Sequence, residues 1–329
     1  MKTALVMGIS GGFGSHVATE LLKQGWKVCA LGRGRSQDKV PEELKGVEFF
    51  QGDAANIDDV RRAAKDVNII VYGISPANYN WENKALPWLN VTATVAEEAK
   101  ITLVFPGNVY VFNPDEGPEF SESSPTNPIT ELGRIRQKME SRLKQASENG
   151  ANVILIRMGD FIGRHAPSTW VKQLIKPTKK GYCLTMPGPE NLKHSWAYLP
   201  DVAKVVVHIV DNSPAESFYN VFHFKGYQFS FRELATTIES VSGKPVVLKS
   251  FPWFVIRTIS PFSRLMRGLL MMRYLWEKEI NLDESKFLST FDTSIKLTSL
   301  GDALIESDLI EGKKSYSTKQ NGSLQTPVV

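Results

Sequence analysis

The sequence predicts an α/β protein with a doubly wound parallel sheet and a smaller C-terminal lobe. Short apolar, β-branched runs alternate with helical patterns over the first half of the chain. A glycine-rich loop lies between the first of these runs and the first helical pattern, and the alternation loosens after about residue 157. Apolar strands separated by helices indicate parallel strands covered on both faces.

Six segments have the length and composition of buried strands. They are "TALVM" (3–7), "WKVCAL" (26–31), "VEFF" (47–50), "NIIVY" (68–72), "ITLVF" (101–105) and "NVILI" (152–156). In the first helix Phe13, Val17 and Leu21 recur at helical spacing, and Gly25 is a typical stop. Further helices are predicted at 57–65, 84–99, 131–149, 201–212 and 230–243.

Composition and charge exclude several classes of function. The 329 residues are 42% hydrophobic, and the net charge of +4 comes from 39 basic residues interleaved with 35 acidic ones. This weak, dispersed charge argues against a nucleic-acid partner. Two distant cysteines, Cys29 and Cys183, predict neither a disulfide framework nor a metal site, and they fit a cytoplasmic protein. No signal peptide and no membrane span are expected, because no apolar run is long enough.

The glycine loop "VMGISGGFGSHVATELL" predicts a dinucleotide site. A tight turn needs residues without a Cβ, and the start of the following helix offers free N–H groups and a positive dipole end to a pyrophosphate. A plain structural turn is the alternative. The predicted cofactor-binding residues of this loop are Gly8, Ser10, Gly11, Gly12, Phe13 and Gly14.

The segment after the second strand favours NADP over NAD. The acidic residue that would bind a ribose 2′-hydroxyl is absent from "LGRGRS", and Arg33 could pair with a 2′-phosphate instead. A solvated surface arginine is the alternative. Asp53 and Ala54 follow the third strand, where they could touch the adenine, although Asp53 could equally cap a turn.

At this point the chain resembles the extended and atypical short-chain dehydrogenase/reductase superfamily, of the epimerase/dehydratase type, over roughly residues 1–300. Gly8, Gly11 and Gly14 match its G-x-x-G-x-x-G spacing. Asn90 begins an Asn-Val pair that is similar to its cofactor-side motif. The matching segments further along are "SESSPTNP" (121–128), "IRMGDFIG" (156–163) and "HSWAYLPDVAKVVV" (194–207), the last with Asp201 at the family's aspartate.

The resemblance implies a Rossmann domain over 1–157, whose sheet later segments could complete. It also implies a substrate lobe with lid helices over 158–312; the polar stretch 313–329 is predicted to be a disordered tail. The substrate would be a small carbonyl, alcohol or sugar-like molecule, and the assembly a homodimer at most.

The catalytic groups that the resemblance implies are missing. Family members use a Ser or Thr hydroxyl and a helix that reads Tyr-Gly-x-x-Lys-x-x-x-Glu. In "ITELGRIRQKME" Gly133 and Glu140 fit this frame, but Leu132 stands at the tyrosine and Arg136 at the lysine. Pro106 occupies the expected hydroxyl position. Two functions therefore stay open: an NADP-dependent oxidoreductase or epimerase with a different proton donor, and a non-catalytic NADP-binding sensor or scaffold.

Several residues near the predicted cofactor mouth could replace this chemistry. Tyr110 is the first candidate proton donor, followed by Asp160 and by Tyr72, which also counts among the predicted cofactor-binding residues. Arg136 cannot donate a proton near neutral pH, but it could clamp ribose hydroxyls or an anionic substrate group, unless it forms only a solvated ion pair with Glu140.

Other aromatic and basic residues have weaker claims. Tyr79 and Trp81 could line the substrate side or only its rim. His194 is expected to be structural, and Tyr274–Lys278 to be a chance Tyr-x-x-x-Lys match. The segment "FPWFVIRTISPFSRLMRGLLMMRYLW" (251–276) could be an interfacial membrane helix, but a lid over the substrate lobe is preferred.

Overall fold

The structure is a computed structural model that describes residues 1–166, 169–213, 218–292 and 295–313. All of the predicted tail except Lys313 lies outside the described residues.

The strands follow the predicted order, with one additional strand before the sixth predicted strand and the others after it. They are β1 (Thr3–Met7), β2 (Lys27–Gly32), β3 (Glu48–Gln51), β4 (Ile69–Tyr72), β5 (Thr102–Asn108), β6 (Glu119–Phe120), β7 (Asn152–Met158), β8 (Asp160–Ile162), β9 (Ile175–Pro177), β10 (Tyr182–Met186), β11 (His194–Tyr198), β12 (Tyr219–Phe224), β13 (Tyr227–Phe229), β14 (Val246–Ser250) and β15 (Asn281–Leu282).

The α-helices lie between these strands and after them. They are α1 (Gly12–Lys23), α2 (Ile57–Ala63), α3 (Ala85–Ala99), α4 (Glu131–Glu148), α5 (Trp170–Leu174), α6 (Leu199–Asn212), α7 (Phe231–Ser242), α8 (Trp253–Ile259), α9 (Arg264–Met271), α10 (Ser285–Phe291) and α11 (Leu300–Glu306).

The main sheet has seven strands in the order β12-β7-β5-β4-β1-β2-β3, and every pairing in it is parallel. The predicted doubly wound fold is confirmed. The order reverses between β1 and β4, where the chain turns from one half of the sheet to the other. In such sheets a ligand binds at the carboxyl ends of the strands beside this switch point.

The seventh strand was not predicted. β12 pairs with β7 from Tyr219↔Val153 to Phe224↔Met158, so the chain returns to the first sheet after an excursion of some sixty residues. Polar Asn220 and His223 interrupt the apolar residues of "YNVFHF", and the sequence alone did not separate it from the lobe. Phe222 and Phe224 nevertheless bury their rings against the sheet.

Helices cover both faces of the main sheet. On one face α2, α3 and α4 pack through residues such as Val60, Leu89 and Leu143. On the other face α1 and α6 pack together through Val17 and Val206. A third cluster builds the lobe around the small sheets β14-β10-β9 and β13-β11-β8; its large members include Trp170, Trp196, Phe231 and Trp276.

The apolar segment 251–276 folds as two short helices, α8 and α9, joined and followed by 3-10 turns at Ser260–Phe262 and Arg273–Trp276. In the described part of the chain we find no helix that is both long and apolar enough to cross a membrane.

Candidate functional site

The glycine loop turns tightly at the carboxyl end of β1. Gly8 has φ +83°, a conformation that L side chains rarely adopt. Its carbonyl accepts a hydrogen bond from the Gly11 N–H at 3.0 Å, which closes the turn. A Cβ on Gly14 would lie 2.4 Å from the Gly8 oxygen, so Gly14 must lack a side chain for α1 to approach the strand.

The start of α1 fits a bound pyrophosphate. No side chain caps this end of the helix, so the amides of its first turn are free to bind an anion. A Cβ on Gly11 would meet only the Gly8 oxygen, at 3.3 Å, and would otherwise project into open space. This opening is the one into which a phosphate could move close to the backbone.

The other residues of the loop face elsewhere. A Cβ on Gly12 would lie 2.7 Å from the Ala166 Cβ and 2.8 Å from a Leu199 methyl group, so packing against the loop after β8 requires this glycine. Phe13 buries its ring in the α1 core. Only the backbone of these two residues, together with half-buried Ser10, is placed to contact a cofactor.

Arg33 stands at the end of β2 and points across the carboxyl edge of the sheet. Its guanidinium lies 3.8 Å from an Asp53 carboxylate oxygen and 5.6 Å from the centroid of the Trp88 ring on α3. The side chain is 65% exposed, so it is free to bind a further anion. Asp53 also accepts the Ala55 N–H at 2.9 Å, as a turn-capping aspartate would. Ala54 lies between them, partly buried.

Asn90 faces away from this edge in the contacts that the structure records. Its amide oxygen accepts the Arg142 Nε–H at 2.6 Å and joins α3 to α4. Two residues further on, and on the opposite face of α3, the Thr92 hydroxyl lies 3.6 Å from the Met7 sulfur, so Thr92 reaches the end of β1. The cofactor role of Asn90 stays a prediction.

Arg136 extends from α4 to the carboxyl end of β5. Its Nη1 donates to the Pro106 carbonyl at 3.3 Å, and its guanidinium lies 4.6 Å from the Trp81 ring and 5.4 Å from the Phe105 ring. The Nε–H is buried without a hydrogen-bond partner among the described residues, as is the hydroxyl of nearby Tyr72. Burial lowers the pKa of the guanidinium, and the neighbouring Tyr110 and Tyr72 oppose the shift.

The alternative for Arg136, an ion pair with Glu140, is wrong. The Glu140 carboxylate is bound by Arg157, whose Nη2 and Nε lie 2.6 and 3.2 Å from its two oxygens. Both side chains are buried, and His223 accepts from Arg157 Nη1 at 3.3 Å. Because Glu140 is held on the β7 side of α4, Arg136 is left to face the sheet edge. The Arg136 Nη1 already binds the Pro106 carbonyl, but its buried Nε–H has no partner in the described part of the chain, and such an unpaired donor points to a missing oxygen ligand.

Tyr110 lies beside Arg136 and Trp81. The Tyr110 ring stacks on Trp81 with centroids 6.2 Å apart. The hydroxyl groups of Tyr110 and Tyr79 are hydrogen-bonded to each other. Burial raises the pKa of Tyr110 well above its ordinary value, and Tyr79 and Asp160 raise it further, while Arg136 opposes this. Tyr110 is therefore protonated near neutral pH, so it can donate a proton and cannot begin as a base.

The loop after β4 aims Tyr79 into this group through an unusual backbone. Asn78 and Tyr79 both have positive φ, 57° and 53°, which costs non-glycine residues energy and is frequent at functional sites. Gly268 of α9 packs directly on the Tyr79 ring, since a Cβ there would lie 2.5 Å from it. The lobe therefore closes over the aromatic side of the site.

Asp160 is paired with His194, which was expected to be only structural. The His194 Nε2 lies 2.7 Å from an Asp160 oxygen, and its Nδ1 lies 3.3 Å from the Leu275 carbonyl. Its ring stacks on Trp276 at a centroid distance of 4.0 Å. Both ring nitrogens thus face acceptors, an arrangement that holds the Asp160 carboxylate in place beside the tyrosines. The two partners are 34 positions apart in the chain, which explains why the sequence did not link them.

The side chains of Tyr274 and Lys278 have different surroundings in the structure. Tyr274 has its ring half-buried near Tyr110, while exposed Lys278 forms an ion pair with Asp115. Asp201, at the family's aspartate position, is fully buried and accepts the Thr298 N–H at 2.7 Å, so it anchors the chain after α10. Among the described residues, no group of His, Cys, Asp and Glu side chains is arranged to hold a metal ion.

Comparison with known proteins identifies the same family as the sequence motifs. The model of the NAD dependent epimerase/dehydratase family matches residues 4–221. "Uncharacterized protein y4nG" of Sinorhizobium fredii is 23% identical over 228 residues, which cover 67% of this chain and 56% of that relative's length. UDP-glucose 4-epimerase of Streptomyces lividans is 21% identical over 270 residues, which cover 74% of this chain and 82% of that protein.

Solved structures share the fold. The enzyme WbmH of Bordetella bronchiseptica, in complex with NAD+, superimposes with a TM-score of 0.70 at 16% identity, covering 94% of this chain and 97% of that one.

Proposed function

Because the chain belongs to the NAD-dependent epimerase/dehydratase family, we propose that it binds a nicotinamide dinucleotide and oxidises or reduces a sugar-like or small carbonyl substrate. The observation that carries this proposal is the uncapped start of α1 at the switch point, with the open approach at Gly11. The loop amides, Asp53 and Arg33 would hold the adenine half of the cofactor, and Arg136 its nicotinamide ribose. The bound cofactor supplies or accepts the hydride.

The preferred cofactor in this proposal is NADP. Arg33 is exposed at the end of β2, and no carboxylate follows that strand in "LGRGRS" to bind a 2′-hydroxyl. Asp53 partly neutralises Arg33, but at 3.8 Å the pair is loose and a 2′-phosphate would compete for the guanidinium. Relatives of this fold bind NAD, as WbmH does, so this preference sets the chain apart from them.

The proton step in this proposal uses Tyr110. With its pKa raised, Tyr110 donates its proton to the substrate oxygen during reduction. Arg136 holds the oxygen-rich ligand beside it, and the Asp160–His194 pair supplies a fixed carboxylate on the lobe side. Leu132, 4% exposed, stays in the core and takes no part.

A second function, non-catalytic NADP binding in a sensor or scaffold, is favoured by one observation. Leu132, an apolar core residue, occupies the position of the family's tyrosine. Tyr110, the proposed replacement, cannot ionise easily because it is buried. In that case cofactor binding persists, but no substrate turns over.

Cofactor titration followed by turnover assays separates these functions. We expect NADPH to bind at least about tenfold more tightly than NADH, since a charge-assisted pair contributes about 1.5–3 kcal/mol, and Arg33→Ala to remove the difference. Equal affinities in the wild type would disprove the NADP preference.

Turnover is then assayed with UDP-glucose and a panel of small carbonyl compounds. Loss of activity in Tyr110→Phe supports the proposed proton donor, and full activity in that variant contradicts it. Tight NADPH binding without any turnover selects the sensor or scaffold.

We also place the protein in the cytoplasm, as a homodimer at most. Cys29 and Cys183 are both free, which fits a reducing compartment. Sedimentation analysis of the purified chain measures the oligomeric state.

A further inference from the structure

The lobe carries an exposed apolar surface on α8 and the turn that follows it. We define this docking patch as Phe254, Val255, Ile259 and Phe262, whose exposed fractions are 78%, 47%, 44% and 91%. Ten large apolar side chains are exposed in the described part of the chain, and four of them fall within these nine residues. Such clustering marks an interaction site, whereas single exposed apolar residues are ordinary.

The orientation of α8 is the reverse of an ordinary surface helix. Ile256 and Ser260 are its inward-facing residues, while the rows Phe254–Thr258–Phe262 and Val255–Ile259 face solvent. A surface helix normally buries its apolar stripe and exposes polar residues. None of the described residues covers the docking patch.

The charged side chains of the segment that carries the docking patch are all basic. Residues 251–276 include Arg257, Arg264, Arg267 and Arg273 and no aspartate or glutamate. Arg257 and Arg267 are exposed, and no ion pair is recorded for either in the described part of the chain. Arg264 bonds to Asn80, and Arg273 pairs with Glu277 at 2.8 Å. Unpaired guanidinium groups beside bulky apolar side chains complement an anionic, partly apolar surface.

We propose that the docking patch binds the surface of a bilayer that contains anionic lipids. Phe254 and Phe262 enter the boundary between head groups and acyl chains, and Arg257 and Arg267 contact lipid phosphates. A second copy of the chain is a poor occupant, because it would bring the same arginines face to face. The interaction lies in the plane of the interface and needs no spanning helix. α9, which packs against α8, contacts Tyr79 of the candidate site through Gly268.

Vesicle flotation of the full-length protein tests this proposal. The probes are vesicles of phosphatidylcholine alone and of phosphatidylcholine with one quarter phosphatidylglycerol. We expect binding to the anionic vesicles that is at least tenfold stronger than to the neutral ones and that weakens in 0.5 M NaCl. Phe254→Ser with Phe262→Ser should reduce binding at least tenfold, and Arg257→Glu with Arg267→Glu at least about twenty-five-fold.

Matched variants elsewhere on the surface serve as controls. Ile129→Ser removes another exposed apolar side chain, and Lys138→Glu with Lys144→Glu makes the same charge change on α4; both should bind like the wild type. Failure of the wild type to float with anionic vesicles overturns the proposal. Sedimentation of all variants measures self-association. If the wild type is a dimer that does not bind vesicles, and Phe254→Ser with Phe262→Ser makes it a monomer, the patch mediates self-association. That result also overturns the membrane proposal.

Discussion

Arg136 shows how one substitution changes what an active-site helix can do. Position 136 lies one turn beyond Leu132, and the structure directs its side chain to the carboxyl end of β5, as the helix frame predicted. A lysine there would supply a compact charge, while arginine supplies a planar fork with fixed donors. Its Nε–H has no partner in the described structure, so the fork is arranged for a ligand that brings its own oxygens.

We predict that Arg136→Ala weakens NADPH binding by about 1.5–3 kcal/mol, because a buried charge-assisted clamp is lost. The matched control is Arg134→Ala on the same helix, whose side chain is 51% exposed and forms an ion pair with Glu131. That change should shift affinity by less than about 0.5 kcal/mol. Fluorescence titration gives the NADPH dissociation constants of both variants. Equal affinities for Arg136→Ala and the wild type would show that Arg136 takes no part in cofactor binding.

His223 makes the stability of the protein depend on pH. Its Nδ1 lies 3.2 Å from the Phe120 carbonyl and its Nε2 faces Arg157, so the neutral ring fits and a second proton would meet a guanidinium. Burial, followed by Arg157, lowers the pKa of His223 to about 3. The unfolded chain therefore binds this proton from about pH 6.5 downward, while the folded chain does not until about pH 3.

We predict that this residue removes up to about 1.4 kcal/mol of unfolding free energy per pH unit as pH falls from 6.5. His16, whose pKa is lowered by burial, and Asp283, whose pKa is lowered by hydrogen bonds from Ser285, act in the same direction, whereas Glu122, whose pKa is raised by burial, acts against it. Urea unfolding between pH 5 and 7 should give a shallower pH slope for His223→Asn than for the wild type. Parallel slopes would show that folding does not lower the pKa of His223.

The glycine loop and α1 act as one element, in which different glycines have different tasks. Gly14 allows α1 to approach Gly8, while Gly11 leaves the space in front of the helix open. The first task concerns packing and the second concerns the ligand, so the two substitutions should separate stability from binding.

We expect Gly14→Ala to destabilise the protein, because its Cβ would lie 2.4 Å from the Gly8 oxygen and the backbone would have to move. Gly11→Ala should unfold within about 1 kcal/mol of the wild type but lose cofactor affinity at least tenfold. Thermal unfolding without cofactor and titration with NADPH provide the two readouts. Normal NADPH affinity in Gly11→Ala would show that the pyrophosphate does not bind in this opening.

At the scale of the molecule, the main sheet is completed by a strand that follows the start of the lobe. β12 covers the edge of β7, and α6 covers the face of α1 through Val202, Val206 and Ile209. The proposed division of the chain at residue 157 therefore cuts through a shared core.

A fragment of residues 1–157 should not fold cooperatively. It would expose the backbone edge of β7 and the apolar α1 surface that α6 covers, and exposed edges of this kind promote aggregation. We expect the full chain to unfold with a sharp transition and the fragment to show a broad one or to precipitate. A fragment with a sharp transition and native-like circular dichroism would contradict this expectation.

The sequence by itself determined the sheet, the glycine loop, the family and the absence of the usual tyrosine and lysine. These properties depend on local periodicity and on motif spacing, which a single chain displays directly. Only the tertiary structure decided that Glu140 pairs with Arg157, that His194 holds Asp160, and that β12 returns to the sheet. These partners are 17, 34 and more than sixty residues apart, and their contacts depend on how the lobe closes over the sheet edge, which no local pattern encodes.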